Sequence, residues 1–166
     1  MNKRIVFLLI AVAILSLSGC GKSQAPKEGV NYYLDSENGD DANNGLSEET
    51  AWRSIDKIRD VRLKAGDSLL FHRGSVFSGI FEIEAQGRSD CRIVIDAYGI
   101  GKKPCITAPD GSLYAVCIRN SDYVTLQNLE IINKGIERMA RRTGVKVVCE
   151  NYGTSHNVIL NALVIH

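Results

Sequence analysis

Beyond residue 66 the apolar positions of this chain come in short alternating runs, not in helical stripes. Val, Ile, Leu and Cys alternate with polar residues over 68–71, 79–84, 92–97, 115–118, 124–133, 144–150 and 158–165, with Gly or Asn between the runs. Period-2 alternation bounded by turn residues marks half-buried strands, and each run is predicted as one. Another short strand is expected over 31–34. It leads into DSENGDDANNG (35–45), a loop dense in Asn, Asp and Gly that suits tight turns and positive φ. Residues 50–62 break the pattern: Trp52, Ile55, Ile58 and Val61 recur at three-residue spacing on one face and Thr50 is placed to cap, which predicts the one helix beyond the N-terminal block.

The strongest pattern is an internal repeat. SDYVTLQNLEI (121–131) aligns with SHNVILNALVI (155–165) at an offset of 34, matching Ser121/Ser155, Val124/Val158, Leu126/Leu160, Leu129/Leu163 and Ile131/Ile165. Upstream, Val116-Cys117 matches Val148-Cys149 at an offset of 32, which places two extra residues of the second copy near 152–154. Within each copy Val124 and Leu126 keep a spacing of two, then the phase breaks at Asn128 before Leu129 and Ile131 resume it. A flat strand would hold its phase; one that bends and starts a second face would not. Stacked coils of a parallel β-helix require this bend, and they want equivalent apolar side chains at equivalent inward positions about 4.8 Å apart. The spacing of a leucine-rich solenoid is absent. The fold predicted from the repeat is all-β, a parallel β-helix with one helix at its N-terminal side.

Residues 1–19 read as a signal peptide: Lys3 and Arg4 precede an unbroken apolar run over 5–15, too short to span a bilayer as a helix. The run ends in LSGC (17–20), which resembles the lipobox of bacterial lipoproteins and implies lipidation at Cys20. Several acyl chains on one cysteine give stable membrane anchoring. Residues 20–30 then read as a flexible tether and 31–166 as the folded domain. Gly21 is not the aspartate that by resemblance retains some lipoproteins at an inner membrane, so an exported protein anchored to the outer membrane is expected, on its periplasmic or surface face.

Composition narrows the partners. With 20 Lys+Arg against 19 Asp+Glu the chain is near neutral, and no nucleic-acid partner is expected. Cys91, Cys105, Cys117 and Cys149 allow three pairings if oxidised, but Cys91, Cys117 and Cys149 sit inside apolar runs and are expected to be buried thiols. No Cys or His spacing suits zinc, and there is no phosphate-binding glycine loop and no nucleophile elbow.

From Tyr32 onward the chain resembles the N-terminal part of the right-handed β-helix, pectate-lyase-like proteins, bacterial polysaccharide lyases and glycosidases among them. The likeness is carried by YLD (33–35), NGDDANNG (38–45), AWRSI (51–55), KAGD (64–67), FHRG (71–74), RIVIDAYG (92–99) and KPCI (103–106). It implies that the parallel β-helix is right-handed, with an N-terminal capping helix followed by the first coils, and a polysaccharide, acidic in the case of lyases, as partner. Such enzymes run for more coils, whereas this chain stops at Ile165-His166 inside its second clear repeat, so a truncated sequence lacking the catalytic residues of its relatives is expected.

For a lyase on a uronic-acid polymer, a cation, often calcium, must neutralise the carboxylate while a base removes the neighbouring proton. Lys134, Asp122 and His156 are the candidates for that chemistry: the 34-residue offset sets Asp122 and His156 at equivalent points on adjacent coils, where the carboxylate can orient the imidazole. Arg138, Arg141 and Arg142, with Lys134 and Lys146, form a basic insertion that suits an acidic glycan, the alternative being a solvated charged loop. A glycosidase needs two carboxylates instead, from among Asp96, Asp110, Asp122, Glu130, Glu137 and Glu150. The acids Asp35, Asp40 and Asp41 miss the EF-hand spacing at Gly39 and read better as turn residues than as a calcium loop. Lyase chemistry leads, glycoside hydrolysis is the alternative, and a non-catalytic glycan-binding or structural surface module is the third reading.

Overall fold

A computed structural model describes residues 29–166. The signal peptide, the lipobox with Cys20 and nearly all of the tether lie outside the described residues. Twelve strands follow one another: β1 (Asn31–Leu34), β2 (Ser68–His72), β3 (Val76–Ser78), β4 (Phe81–Ile83), β5 (Ile93–Tyr98), β6 (Cys105–Thr107), β7 (Tyr114–Arg119), β8 (Val124–Gln127), β9 (Glu130–Ile132), β10 (Thr143–Val148), β11 (Ile159–Asn161) and β12 (Val164–Ile165). From β2 onward the chain visits three sheets in rotation. Sheet A has the order β1-β2-β5-β8-β11, sheet B β3-β6-β9-β12 and sheet C β4-β7-β10, and every strand pair in them is parallel. The architecture is β-helix-like.

Register turns the alternation into columns. In sheet A, Tyr32, Leu69, Ile95, Leu126 and Leu160 fall in line; in sheet B, Phe77, Ile106, Ile131 and Ile165; in sheet C, Phe81, Val116 and Val145. Phe71 of sheet A meets Phe77 of sheet B and Phe81 of sheet C edge-on, with ring centroids 5.2 and 5.6 Å apart, so the three inner faces share one core. Tyr32 and Val145 are partly buried, and exposure is greatest in the final coil, where Leu160 and Ile165 are about half exposed.

The break in phase at Asn128 is a single residue with φ of 60° between β8 and β9, and Ala162 repeats it with φ of 49° between β11 and β12. Tyr123 and Asn157, also 34 apart, share the left-handed conformation before β8 and β11. One such residue turns the chain enough to begin another sheet. The 34-residue offset itself is realised in the pairing of Leu126 with Leu160 and of Ile131 with Ile165.

Three expectations need correction. Val116 pairs with Val145, an offset of 29 and not 32, so the second copy carries five extra residues after β10. Lys146, not Cys149, therefore stands opposite Cys117, and Cys149 lies exposed in the longer turn with its Sγ 2.9 Å from Ser155 Oγ. Cys105 and Cys117 are buried thiols, and Cys91 is half-buried. Last, residues 50–62 hold no α-helix: Trp52 bridges Leu34, and only Ile55–Asp60 coils, as a 3-10 helix. The backbone N–H of Trp52 donates to Tyr33 O, and those of Arg53 and Ser54 donate to Asp41 Oδ1, which removes the first turn of the expected helix. The three-residue spacing of Ile55 and Ile58, both buried, is the period of a 3-10 turn. Trp52 itself stacks on Tyr32 and donates from Nε1 to Asn43 O; a Cβ at Gly45 would lie 2.4 Å from its ring.

Candidate functional site

The outer face of sheet C concentrates the ionisable groups. After Phe81 the chain alternates buried and exposed residues for six positions, which turns Glu82, Glu84 and Gln86 outward from β4. Glu82 lies beside Cys117 of β7, and Cys117 beside Lys146 of β10. Tyr114 crosses this row: its hydroxyl donates to Glu82 Oε1 at 2.5 Å, and Lys146 Nζ sits 5.6 Å from its ring centroid. The bond to Glu82 raises the Tyr114 hydroxyl above its ordinary range, because the ionised phenol would oppose the carboxylate. Cys117 is buried beneath the row, and burial pushes its thiol up.

One residue pair further along, Ile83 pairs with Ile118, and Glu84 and Arg119 follow them in their chains. Arg119 forms an ion pair with Glu150 on its other side, and Glu150 holds the guanidinium above its usual range. The backbone N–H of Glu150 is fixed by Asn120 Oδ1 at 2.8 Å. A cavity of about 580 Å³ adjoins β4, with Arg59 and Arg62 from the 3-10 helix and its exit facing Glu82, Glu84 and Gln86. Carboxylates, a guanidinium group and a tyrosine thus share one outer face across three rungs, with the cavity at its β4 edge.

Asp122 and His156 are brought together, as the repeat implies. His156 Nδ1 lies 3.1 Å from Asp122 Oδ1, which also accepts the His156 backbone N–H at 2.6 Å. Tyr152 OH reaches Asp122 Oδ2 and Gln86 Oε1, both at 2.5 Å. The Tyr152 hydrogen bond first, then the His156 N–H, hold the Asp122 carboxyl below its ordinary range. With both oxygens engaged, Asp122 ties adjacent coils past the end of this row.

The other expected acids are dispersed. Asp96 stands on sheet A, accepting from Gln127 Nε2 at 2.6 Å and Asn128 Nδ2 at 2.7 Å; Glu130 stands on sheet B, 3.2 Å from His166 Nε2; Asp110 and Glu137 belong to connections. The basic insertion does not converge either. Lys134, Arg138 and Arg141 are exposed, Arg142 is nine-tenths buried, and Lys146 joins the sheet C row. Among the described residues no three His, Cys, Asp or Glu side chains gather to hold a metal ion. In the acidic loop, Asp35 takes the N–H groups of Glu37 and Asn38 and the Asn38 side chain, Asp40 takes the Ala42 N–H, and Asp41 those of Arg53 and Ser54. These carboxylates staple the loop and do not fit a calcium site. Glu82, Glu84, Tyr114 and Arg119 were not expected from sequence, although the alternation FEIEAQ was the available signal.

No protein-family model matches the chain. It is 29% identical over 220 aligned residues to a lacto-N-biosidase of Bifidobacterium longum, covering all of this chain and 14% of that one. The crystal structure of a GH136 lacto-N-biosidase from Eubacterium ramulus superposes with a TM-score of 0.76 at 35% identity, over 84% of this chain and 27% of that one. An alginate lyase from Paenibacillus superposes at 0.52 with 19% identity over 68% of this chain and 34% of that one, a likeness of fold alone. The chain therefore spans about a quarter of its solved relative and a seventh of the curated one. The glycoside hydrolase alternative is better supported than the lyase reading put first from sequence.

Proposed function

We propose that this chain belongs to a carbohydrate-active protein that hydrolyses glycosidic bonds, with a neutral oligosaccharide of the lacto-N-biose kind as substrate. The observation that carries the reading is the 35% identity and 0.76 TM-score to a glycoside hydrolase, against 19% to a lyase. Hydrolysis needs two carboxylates about 5–10 Å apart, one giving a proton to the leaving oxygen and the other activating water or attacking the sugar. On sheet C, Glu82 and Glu84 stand on and just past β4 and Glu150 follows β10, so β7 with Arg119 lies between them and the two sets of carboxylates are two rungs, about 10 Å, apart across the sheet.

The finer architecture belongs to the same proposal. The rotation of strands through three parallel sheets supports a right-handed, closed solenoid, and the contact of the 3-10 helix with β4 supports reading that helix as its cap. LSGC (17–20) supports a lipid anchor on Cys20, with 20–30 as tether, 31–166 as the domain and the outer membrane as location.

Incubating the chain with an aryl lacto-N-bioside and, separately, with alginate and polygalacturonate tests the reading. Release of the aryl group, lost at least a hundredfold in Glu82→Gln or Glu150→Gln, is expected. Ultraviolet absorbance from an unsaturated uronate, without aryl release, would overturn it.

A further inference from the structure

We infer that the connection between β9 and β10 forms a subsite for an uncharged sugar residue. The inference deepens the hydrolase reading and rests on it for the ligand's class. A cavity of about 380 Å³ lies between this connection and the turn before β7, lined by Asp110, Ile136, Glu137, Arg138, Met139 and Arg142. That volume falls in the range of small-ligand sites. Asp110 and Gly111 of its lining precede β7, which begins at Tyr114, and the connection leads into β10, so both flanking strands belong to sheet C.

Arg142 organises the connection from within. Its guanidinium bonds the carbonyl oxygens of Lys134 and Glu137 and lies 3.7 Å from Asp110 Oδ1, while Asp110 Oδ1 accepts the Ile136 N–H at 2.9 Å. The loop is thus held by its backbone, and it presents Ile136 to solvent with 89% of the residue exposed. An apolar side chain displayed on a braced loop costs hydration until something covers it. Met139 lies beside it in the same cavity. Together they offer an apolar patch to the C–H face of a sugar ring.

Charge decides between a neutral and an acidic sugar. The lining holds two carboxylates and two guanidinium groups, so it carries no net charge. A uronate would meet the carboxylates of Asp110 and Glu137 and only the guanidinium of Arg138, because the terminal nitrogens of Arg142 are committed to carbonyls and to Asp110. Arg142, nine-tenths buried in this lining, keeps one donor, Nε, that makes no hydrogen bond, and a sugar hydroxyl oxygen is an acceptor suited to it.

The test is calorimetric and NMR titration of the chain with a neutral oligosaccharide, lacto-N-tetraose, and with tri-galacturonate, at low and high salt. The wild type is expected to bind the neutral sugar with an affinity that salt does not change. Ile136→Asp, at a position exposed enough to leave the fold intact, should weaken that binding at least tenfold, and Met139→Asp should do likewise. Absence of binding, salt-sensitive binding of tri-galacturonate alone, or unchanged affinity in Ile136→Asp would overturn the subsite. Binding sensitive to Ile136→Asp without aryl-glycoside hydrolysis would keep the subsite and defeat the hydrolase reading; hydrolysis with unaltered binding in Ile136→Asp would do the reverse.

Discussion

If inward columns of like residues hold the coils together, the same truncation must cost very different amounts along one column. Ile131 and Ile165 are neighbours in the sheet B column, the first fully buried and the second 49% exposed. Ile131→Ala removes three carbon groups, about 2.4 kcal/mol at roughly 0.8 kcal/mol each. The cavity left among Ile106, Leu129 and their neighbours brings the cost to about 3–4 kcal/mol. Unfolding entropy of about 2.1 cal/mol/K per residue over residues 29–166 then converts this to a fall in Tm of about 10–14 °C. Ile165→Ala loses about half the transfer energy and leaves no closed cavity, so about 1 kcal/mol and about 3–4 °C are expected. Thermal melts by circular dichroism, with urea midpoints at constant slope, compare the two. Equal losses, or a loss below about 1 kcal/mol at Ile131, would refute the columnar account.

Other outcomes follow from the bends, the turn and the thiols. Ala162 occupies a left-handed position where Asn128 stands one coil earlier, at a steric cost of about 1 kcal/mol, so Ala162→Asn should raise Tm by about 2–3 °C; a fall would contradict the assigned bend. Asp122 is harder to protonate folded than unfolded, so its contribution is complete above the ordinary carboxyl range and fades as pH drops through the lowered folded value. Tyr152→Phe should move the Asp122 carboxyl titration upward by NMR and shift acid unfolding to higher pH, and an unmoved titration would show that the hydroxyl does not hold it. Ellman's reagent should label Cys149 rapidly in the folded chain and spare Cys105 and Cys117 until denaturant is added, because burial excludes the reagent and pushes both thiols up.

The sequence made the last full coil legible because two successive turns there have matching lengths. Between earlier coils the offset wanders: 26 from Ser68 to Val94, 35 from Phe81 to Val116, 31 from Ile93 to Val124 and 25 from Cys105 to Glu130. Connections of unequal length erase the sequence period while leaving the register of each sheet intact. The same effect misplaced Cys149, whose apolar run, VKVV and C, continues past the point where β10 ends at Val148. The three-residue strands β3 and β6 were too short for an alternation test. The row on sheet C needed the register itself, because Glu82, Cys117 and Lys146 are remote in sequence and neighbours only through pairing. Asp122 and His156 were legible because they fall within the 34-residue match.

The central proposal is that a neutral glycan lies along the outer face of sheet C, and amide chemical-shift mapping during titration with lacto-N-tetraose tests it most directly. The account predicts perturbations centred on Glu82, Tyr114, Arg119 and Lys146 and reaching Ile136. Perturbations centred on Asp96, Gln127 and Asn161 of sheet A, or on Thr107 and Glu130 of sheet B, would contradict it.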